Sequence, residues 1–240
     1  MPSTADDIIR ALRKGASTKK ARVLSRFFKT GKGEYAEGDI FLGVMVPHTR
    51  MVVKMYAHIS QKEIGKLLCS PYHEVRLAAL LLLVKQYQDG DEKTQKRIVE
   101  YYLAHTRFIN NWDLVDLSAH KILGAHLVGK SIQPLVLLAQ SKNIWERRIA
   151  VISTFACINK GKYHEAFRVA KLLIDDDHDL IHKAVGWMLR AVGDCCGRDT
   201  EERFLRKHYH TMPRTMLRYA IEKFPVTLRR SYLRGTVRSG

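Results

Sequence analysis

The sequence predicts an all-α fold, and three observations carry that prediction. Segments between turn signals show helical spacing of apolar residues, and no stretch sustains the period-two alternation of a strand. A basic residue followed by a small apolar patch also recurs along the chain. With 240 residues, 46% of them hydrophobic, the chain can bury a core without disulfides or metal. No linker composition interrupts it, so it reads as one domain over 1–240 with a short flexible tail at about 235–240.

The elements follow from their start and stop signals. A first helix begins at Ser3 or Thr4 with Asp6 and Asp7 in its first turn, and a basic amphipathic second runs from about Ser17 to Lys29. Residues 31–43, GKGEYAEGDIFLG, form a Gly-rich loop; its glycines follow no strand and Lys32 lacks a GK[ST] context, which excludes a phosphate-binding P-loop. Pro47 opens a helix to about Ala57, and Ser60 with Glu63 makes a capping box for the next. Ser70 and Pro71 start a helix that is apolar nearly all round from Val75 to Val84, which places it centrally. Asp89-Gly90-Asp91 turns the chain into a helix ending near His105, and the stretch NNWDLVDLSA follows at 110–119. Ser131 starts a helix to about Gln140, and Asn143 with Glu146 caps ERRIAVISTFACI. Helices then run from Tyr163 to Ile174 and from Asp179, and Asp199 with Glu202, Pro213 and Pro225 begin the last three.

The recurring basic positions are Arg76, Arg148 and Lys183, separated by 72 and 35 residues, or two periods and one period of about 36. Asp116 is the intermediate member, and Asp116 and Arg148 each fall five residues after an N-cap asparagine, Asn111 and Asn143. Paired helices at this period are the signature of a HEAT-like helical-repeat solenoid with a concave face, on which helix N-termini and basic side chains favour phosphate.

The formal charge of +17 attracts polyanions, and its clustering sharpens the point. From Arg203 onward there are ten Lys or Arg against the single acid Glu222, and Arg10 to Lys32 holds no acid. A basic concave groove suits duplex DNA recognised through its backbone. No basic helix has a clean apolar face with exposed aromatics for a membrane surface, and the run from Leu77 to Val84 is too short to span one. Cys69, Cys157, Cys195 and Cys196 show no ligand spacing and read as buried or incidental thiols of a reducing compartment. With no signal-peptide core at the N-terminus, the expectation is a soluble, cytoplasmic protein.

Within NNWDLVDLSA, Asn111 is a good N-cap and Asp113 suits the dipole of the first turn. Trp112 and Asp116 share one face at i,i+4 spacing. Asp116 lies past the orphan N–H groups, so it has either an ion-pair partner or a chemical task.

The chain resembles the AlkD-like family of bacterial DNA alkylation-repair glycosylases, which are built from HEAT-like repeats. The resemblance runs from FFKTGKGEYAEGDIFLGVMVP through NNWDLVD, NIWERRIAV and HKAVGWMLR to MPRTMLRYAIEKFP. It implies a monofunctional glycosylase that releases positively charged alkylpurines, such as 3-methyladenine and 7-methylguanine, without metal or cofactor and without extruding the nucleotide. The catalytic Asp of the family's WDxVD motif matches Asp116 and its Trp matches Trp112; the Arg after WxR matches Arg148, and the Trp of KAxGW matches Trp187. On that resemblance Asp116 stabilises an oxocarbenium-like sugar and orients water, Trp112 and Trp187 flank sugar and base, and Arg148 holds a phosphate.

The competing readings are an Asp116–Arg148 ion pair between helices, a catalytically silent protein binding damaged or branched DNA, and a scaffold for an acidic protein partner. Trp145 reads as core, Arg147 as a solvated neighbour and His120 as structural or phosphate-facing. The candidate nucleic-acid contacts are Arg50, Arg76, Trp112, Arg148, Lys183, Trp187 and Arg190; the expected partner is double-stranded DNA with alkylated purines, bound by a monomer that is nucleoid-associated while acting.

Overall fold

The computed structural model describes residues 3–238. Every regular element among them is helical, and the one β-type pairing is a bridge between Ile40 and Tyr72. They fall into two compact units, one ending at Ser118 and the other beginning at Ala119.

In the first unit, α1 (Ala5–Arg13) starts in a reciprocal capping box between Thr4 and Asp7 and buries Ala5, Ile8 and Leu12. The basic α2 (Thr18–Phe27), capped by Ser17, buries none of its residues. After the Gly-rich loop, α3 (Val46–Met55) opens on a proline. Ser60 caps α4 (Gln61–Leu68), but the expected box is not reciprocated. Glu63 instead accepts from the Ala5 N–H at 2.8 Å and pairs with Lys66 at 2.7 Å, tying α4 to α1.

The central element is α5 (His73–Asp89), on which α3, α4, α6 (Glu92–Ala104) and α7 (Trp112–Ser118) all pack. Val75 to Val84 is buried throughout, as an all-round apolar helix must be, and each leucine there contributes about 2 kcal/mol of burial. Glu74, 3% exposed, fixes the loop to this helix by accepting from the backbone N–H groups of Leu42, Gly43 and Val44 at 2.9, 2.8 and 3.1 Å. Gly43 is required at its place: its φ is +79°, and a Cβ would lie 2.1 Å from the Ser17 carbonyl oxygen.

The second unit begins with a π-helical turn at His120–Gly124 and the short α8 (Ala125–Leu127). The wide turn lets the Ala119 carbonyl accept from the Gly124 N–H at 2.9 Å and from the Ser153 hydroxyl at 3.4 Å. Next come α9 (Gln133–Ala139), α10 (Ile144–Ser153), α11 (Phe155–Ile158), α12 (His164–Leu172) and α13 (Asp179–Cys196). The chain closes with α14 (Arg198–His208), α15 (Arg214–Ala220) and α16 (Val226–Arg234), the last two each directly preceded by a proline. Here α13 is central, with α10, α11, α12, α14 and α15 against it. The start of the expected tail is held by the Tyr209 hydroxyl, which donates to the Val237 carbonyl at 2.7 Å; residues 239–240 lie outside the described chain. Trp145 and Cys157 are core residues, whereas Cys69 at the end of α4 is exposed.

Three long helices share a device that corrects the repeat register by one residue. The fourth residue of α5, Arg76, donates to the Ser70 carbonyl six residues back at 2.9 Å, and the fourth of α10, Arg147, donates to Ser141 six residues back at 3.0 Å. The fourth of α13, His182, bonds through Nε2 to the Asp176 carbonyl, again six residues back. Each side chain thereby clasps the loop leading into its own helix. The spacing of 71 and 35 residues keeps the period of about 36, but the series runs Arg76, Arg147, His182 rather than Arg76, Arg148, Lys183. Arg147 is therefore no solvated neighbour; its Nε also meets Asp176 at 2.6 Å.

Candidate functional site

The start of α7 is built around buried charge. Asn111 is fully buried; its Oδ1 accepts from the Trp112 N–H at 2.8 Å and its Nδ2 donates to Asp39 at 3.3 Å. Asp113, 8% exposed, accepts from the Leu114 N–H at 2.8 Å through Oδ1, while Oδ2 lies 2.8 Å from His73 Nε2. His73 Nδ1 is in turn 3.0 Å from Asp39 of the Gly-rich loop, and Arg76 pairs with the other oxygen of Asp39. Burial alone would depress the His73 pKa. The bonds and charges of Asp113 and Asp39 outweigh it and raise the value to about 9. For Asp39, burial again opposes the outcome, but His73 and Arg76 hold its carboxyl below the usual range.

Aromatic rings cover this core and support Trp112. Phe28 stacks on Trp112 with centroids 5.1 Å apart and on Phe41 at the same distance, and Phe41 stacks on His73 at 4.5 Å. Phe27, exposed at the end of α2, meets Trp112 edge-on at 5.9 Å. The indole is half-buried, and Asp116, one helical turn on, is also only partly covered. Beneath this face the buried Tyr102 hydroxyl bonds to Ser118 at 3.0 Å. Its pKa is raised by burial, against the Ser118 bond, and further by the charge of Asp116.

In the second unit Trp187 is half-buried on α13, tilted against Phe155 at 6.1 Å, and His120 lies T-shaped to the same phenyl ring at 5.6 Å. Arg148, expected to face phosphate, is only 5% exposed, and its Nη1 donates to the Leu180 carbonyl at 2.6 Å, fixing the first turn of α13. Arg76 is likewise 4% exposed and spent on Asp39 and Ser70, which removes it from any open phosphate-binding face. Lys183 pairs with Asp179 at 2.6 Å and Arg190 with Glu222, both from half-buried positions. Arg50 is exposed on α3. The sequence reading brings out Trp112 and Asp116 correctly as neighbours on one helix face, but misses Asp39, His73 and Glu74. The signal for His73 and Glu74 is the HEVR segment, three ionisable residues opening a helix that then runs apolar from Leu77 to Val84, whereas Asp39 sits among loop residues that do not single it out.

A model of the DNA alkylation repair enzyme family matches residues 8–224. No curated protein matches the chain. Among solved structures, a predicted DNA alkylation repair enzyme from Enterococcus faecalis is similar in fold, with a TM-score of 0.66 at 15% identity over 88% of this chain and 97% of that one.

Proposed function

Because this chain belongs to the DNA alkylation repair enzyme family, we propose that it is a DNA glycosylase that hydrolyses the N-glycosidic bond of positively charged alkylpurines in duplex DNA. The observation that carries the reading is the α7 face, a partly exposed carboxylate one turn from a half-buried indole on a helix whose start is fixed by buried ionic bonds.

The chemistry suits such a face. An N-alkylated purine is already cationic, so it departs with little general-acid help, and the demand falls on the sugar, which becomes oxocarbenium-like. Asp116 stabilises that cation and orients the attacking water, and the π-face of Trp112 favours positive charge beside it. Trp187 is proposed to rest against the damaged nucleotide, and Arg50, Lys183 and Arg190 to meet phosphates. Arg148 is assigned instead to holding α13, since its guanidinium is buried and bonded to Leu180.

The test is single-turnover release of 7-methylguanine from methylated duplex. Asp116→Asn should slow release by about 10²-fold or more while undamaged duplex binds as before. Release at the normal rate would sink Asp116 as the catalytic carboxylate; binding without release by the unmodified protein would favour a catalytically silent DNA-binding relative.

A further inference from the structure

We propose that His73 is a positioning residue for the catalytic face of α7: bridging Asp39 of the Gly-rich loop and Asp113 of α7 as a doubly donating imidazolium, it sets the register in which Trp112 and Asp116 are presented. The inference rests on the catalytic reading of Asp116 given above.

Geometry requires the imidazolium. Both ring nitrogens face carboxylate oxygens, at 3.0 and 2.8 Å, and an ionised carboxylate only accepts, so both nitrogens must carry a proton. A neutral ring would turn one lone pair onto a carboxylate lone pair in a site where His73 is 1% exposed and Asp39 9% exposed. The charged groups facing the ring are Asp39 from the loop and Asp113 from α7, with Arg76 of α5 behind Asp39, so two cations balance two anions. Glu74 is turned away to the backbone of residues 42–44 and takes no part in this balance. The remaining walls are the rings of Phe28 and Phe41.

A second observation shows why α7 needs this strut. In α5, α10 and α13 the fourth residue reaches back six residues to clasp the incoming loop, but the fourth residue of α7 is Val115, which has no donor to offer. The entry to α7 is held instead through its second residue, Asp113, by a histidine on α5. Trp112 stands directly before Asp113 and Asp116 follows three residues later, so displacement of Asp113 is carried to both. Phe28, stacked on Trp112 and packed on the His73 ring, couples Trp112 to His73 by a second route.

The experiment compares single-turnover release of 7-methylguanine, with enzyme in excess, across pH for the unaltered protein and for Asp113→Asn, His73→Gln and Asp116→Asn. The unaltered protein should keep its rate up to about pH 9 and lose it above, as the imidazolium gives up its proton. Asp113→Asn, which is isosteric but removes one anion, should move that alkaline limb down by about one pH unit. His73→Gln should be at least roughly tenfold slower with no limb near pH 9, while affinity for undamaged duplex stays within about threefold. A residue that only supports the fold would lower the rate equally at every pH. An unshifted limb in Asp113→Asn, or a normal rate in His73→Gln, would overturn the proposal, and the limb still decides if His73→Gln fails to fold. Normal release by Asp116→Asn, by contrast, would remove the catalytic reading on which the proposal depends.

Discussion

Glu201 of α14 is 2% exposed, and its Oε1 has no hydrogen-bond partner among the described residues. Its carboxyl group occupies space that only a glycine on α13 leaves open, since a Cβ at Gly193 would sit 2.0 Å from Glu201 Oε2. Burial pushes its pKa up to about 8, with Asp194 adding to the rise, Arg190 opposing it and Glu202 adding a little more. In the unfolded chain the group ionises near its ordinary value of 4.5, so between that pH and about 8 the folded protein holds a proton that the unfolded chain has released. Stability therefore falls as pH rises through this window. Glu201→Gln should remove that part of the slope and raise Tm at about pH 8 by several degrees, at roughly 2–4 °C per kcal/mol, with little change near pH 5. Thermal melts of both proteins at the two pH values check it, and identical slopes would refute it. Nothing in the sequence around Glu201 announces this. Asn111 and Asp113 were legible as residues of a helix start, and Trp112 and Asp116 as neighbours one turn apart, because both signals are local, but the bonds of Asn111 to Asp39 and of Asp113 to His73 were not. A carboxyl group filling the notch beside a glycine eight residues earlier, on another helix, depends on packing.

At the scale of the element, what was legible was the period and what was not was its phase. A basic residue after each loop marks the second turn of each long helix, but helix starts read from sequence carry an uncertainty of a residue or two, enough to confuse Arg147 with Arg148. The two have different tasks. Arg147 clasps Ser141, Lys142 and Asp176, while Arg148 donates to Leu180 at the start of the next long helix of its unit. Asp176 is left 6% exposed beside the Arg147 guanidinium, so Arg147→Ala takes the ion-pair partner from a nearly buried carboxylate that keeps the His178 N–H. The cost should be about 2 kcal/mol, between that of an exposed and a buried pair, and Tm should drop by roughly 4–8 °C. Denaturation melts measure it; a change within error would mean that the clasp adds nothing. The Gly-rich loop teaches the same lesson. Its glycines were visible at once, but its attachment through Glu74 and Asp39 to α5 was not, because a carboxylate that accepts three backbone N–H groups is indistinguishable in sequence from one that faces water.

For the molecule as a whole, the net charge of +17 is the feature that local structure modifies least. Two arginines expected to serve DNA, Arg76 and Arg148, are buried within the protein, and Arg147, expected to be a solvated neighbour, is paired with Asp176. The surplus therefore resides elsewhere, in α2, where no residue is buried, and in the stretch from Arg203 onward, which holds ten Lys or Arg and a single acid and where Arg206 and Lys223 pair with Glu202 and Asp194 outside it. Such exposed cations bind phosphate by releasing condensed counterions, with a logarithmic salt slope of about 0.9 per phosphate neutralised. If the chain binds duplex DNA through six or more of them, affinity should fall by about 10³-fold or more between 50 and 200 mM salt. Charge reversal of exposed positions separates surplus charge from committed charge: Lys19→Glu with Arg22→Glu on α2 should flatten the slope by about two phosphates' worth, whereas Arg76→Met should leave the slope unchanged in whatever fraction folds. Fluorescence anisotropy of labelled duplex across a salt series gives both numbers. A slope that Arg76→Met flattens as much as the α2 pair would mean that the buried guanidinium reaches DNA after all, and a shallow slope for the unaltered protein would turn the charge toward an acidic protein partner.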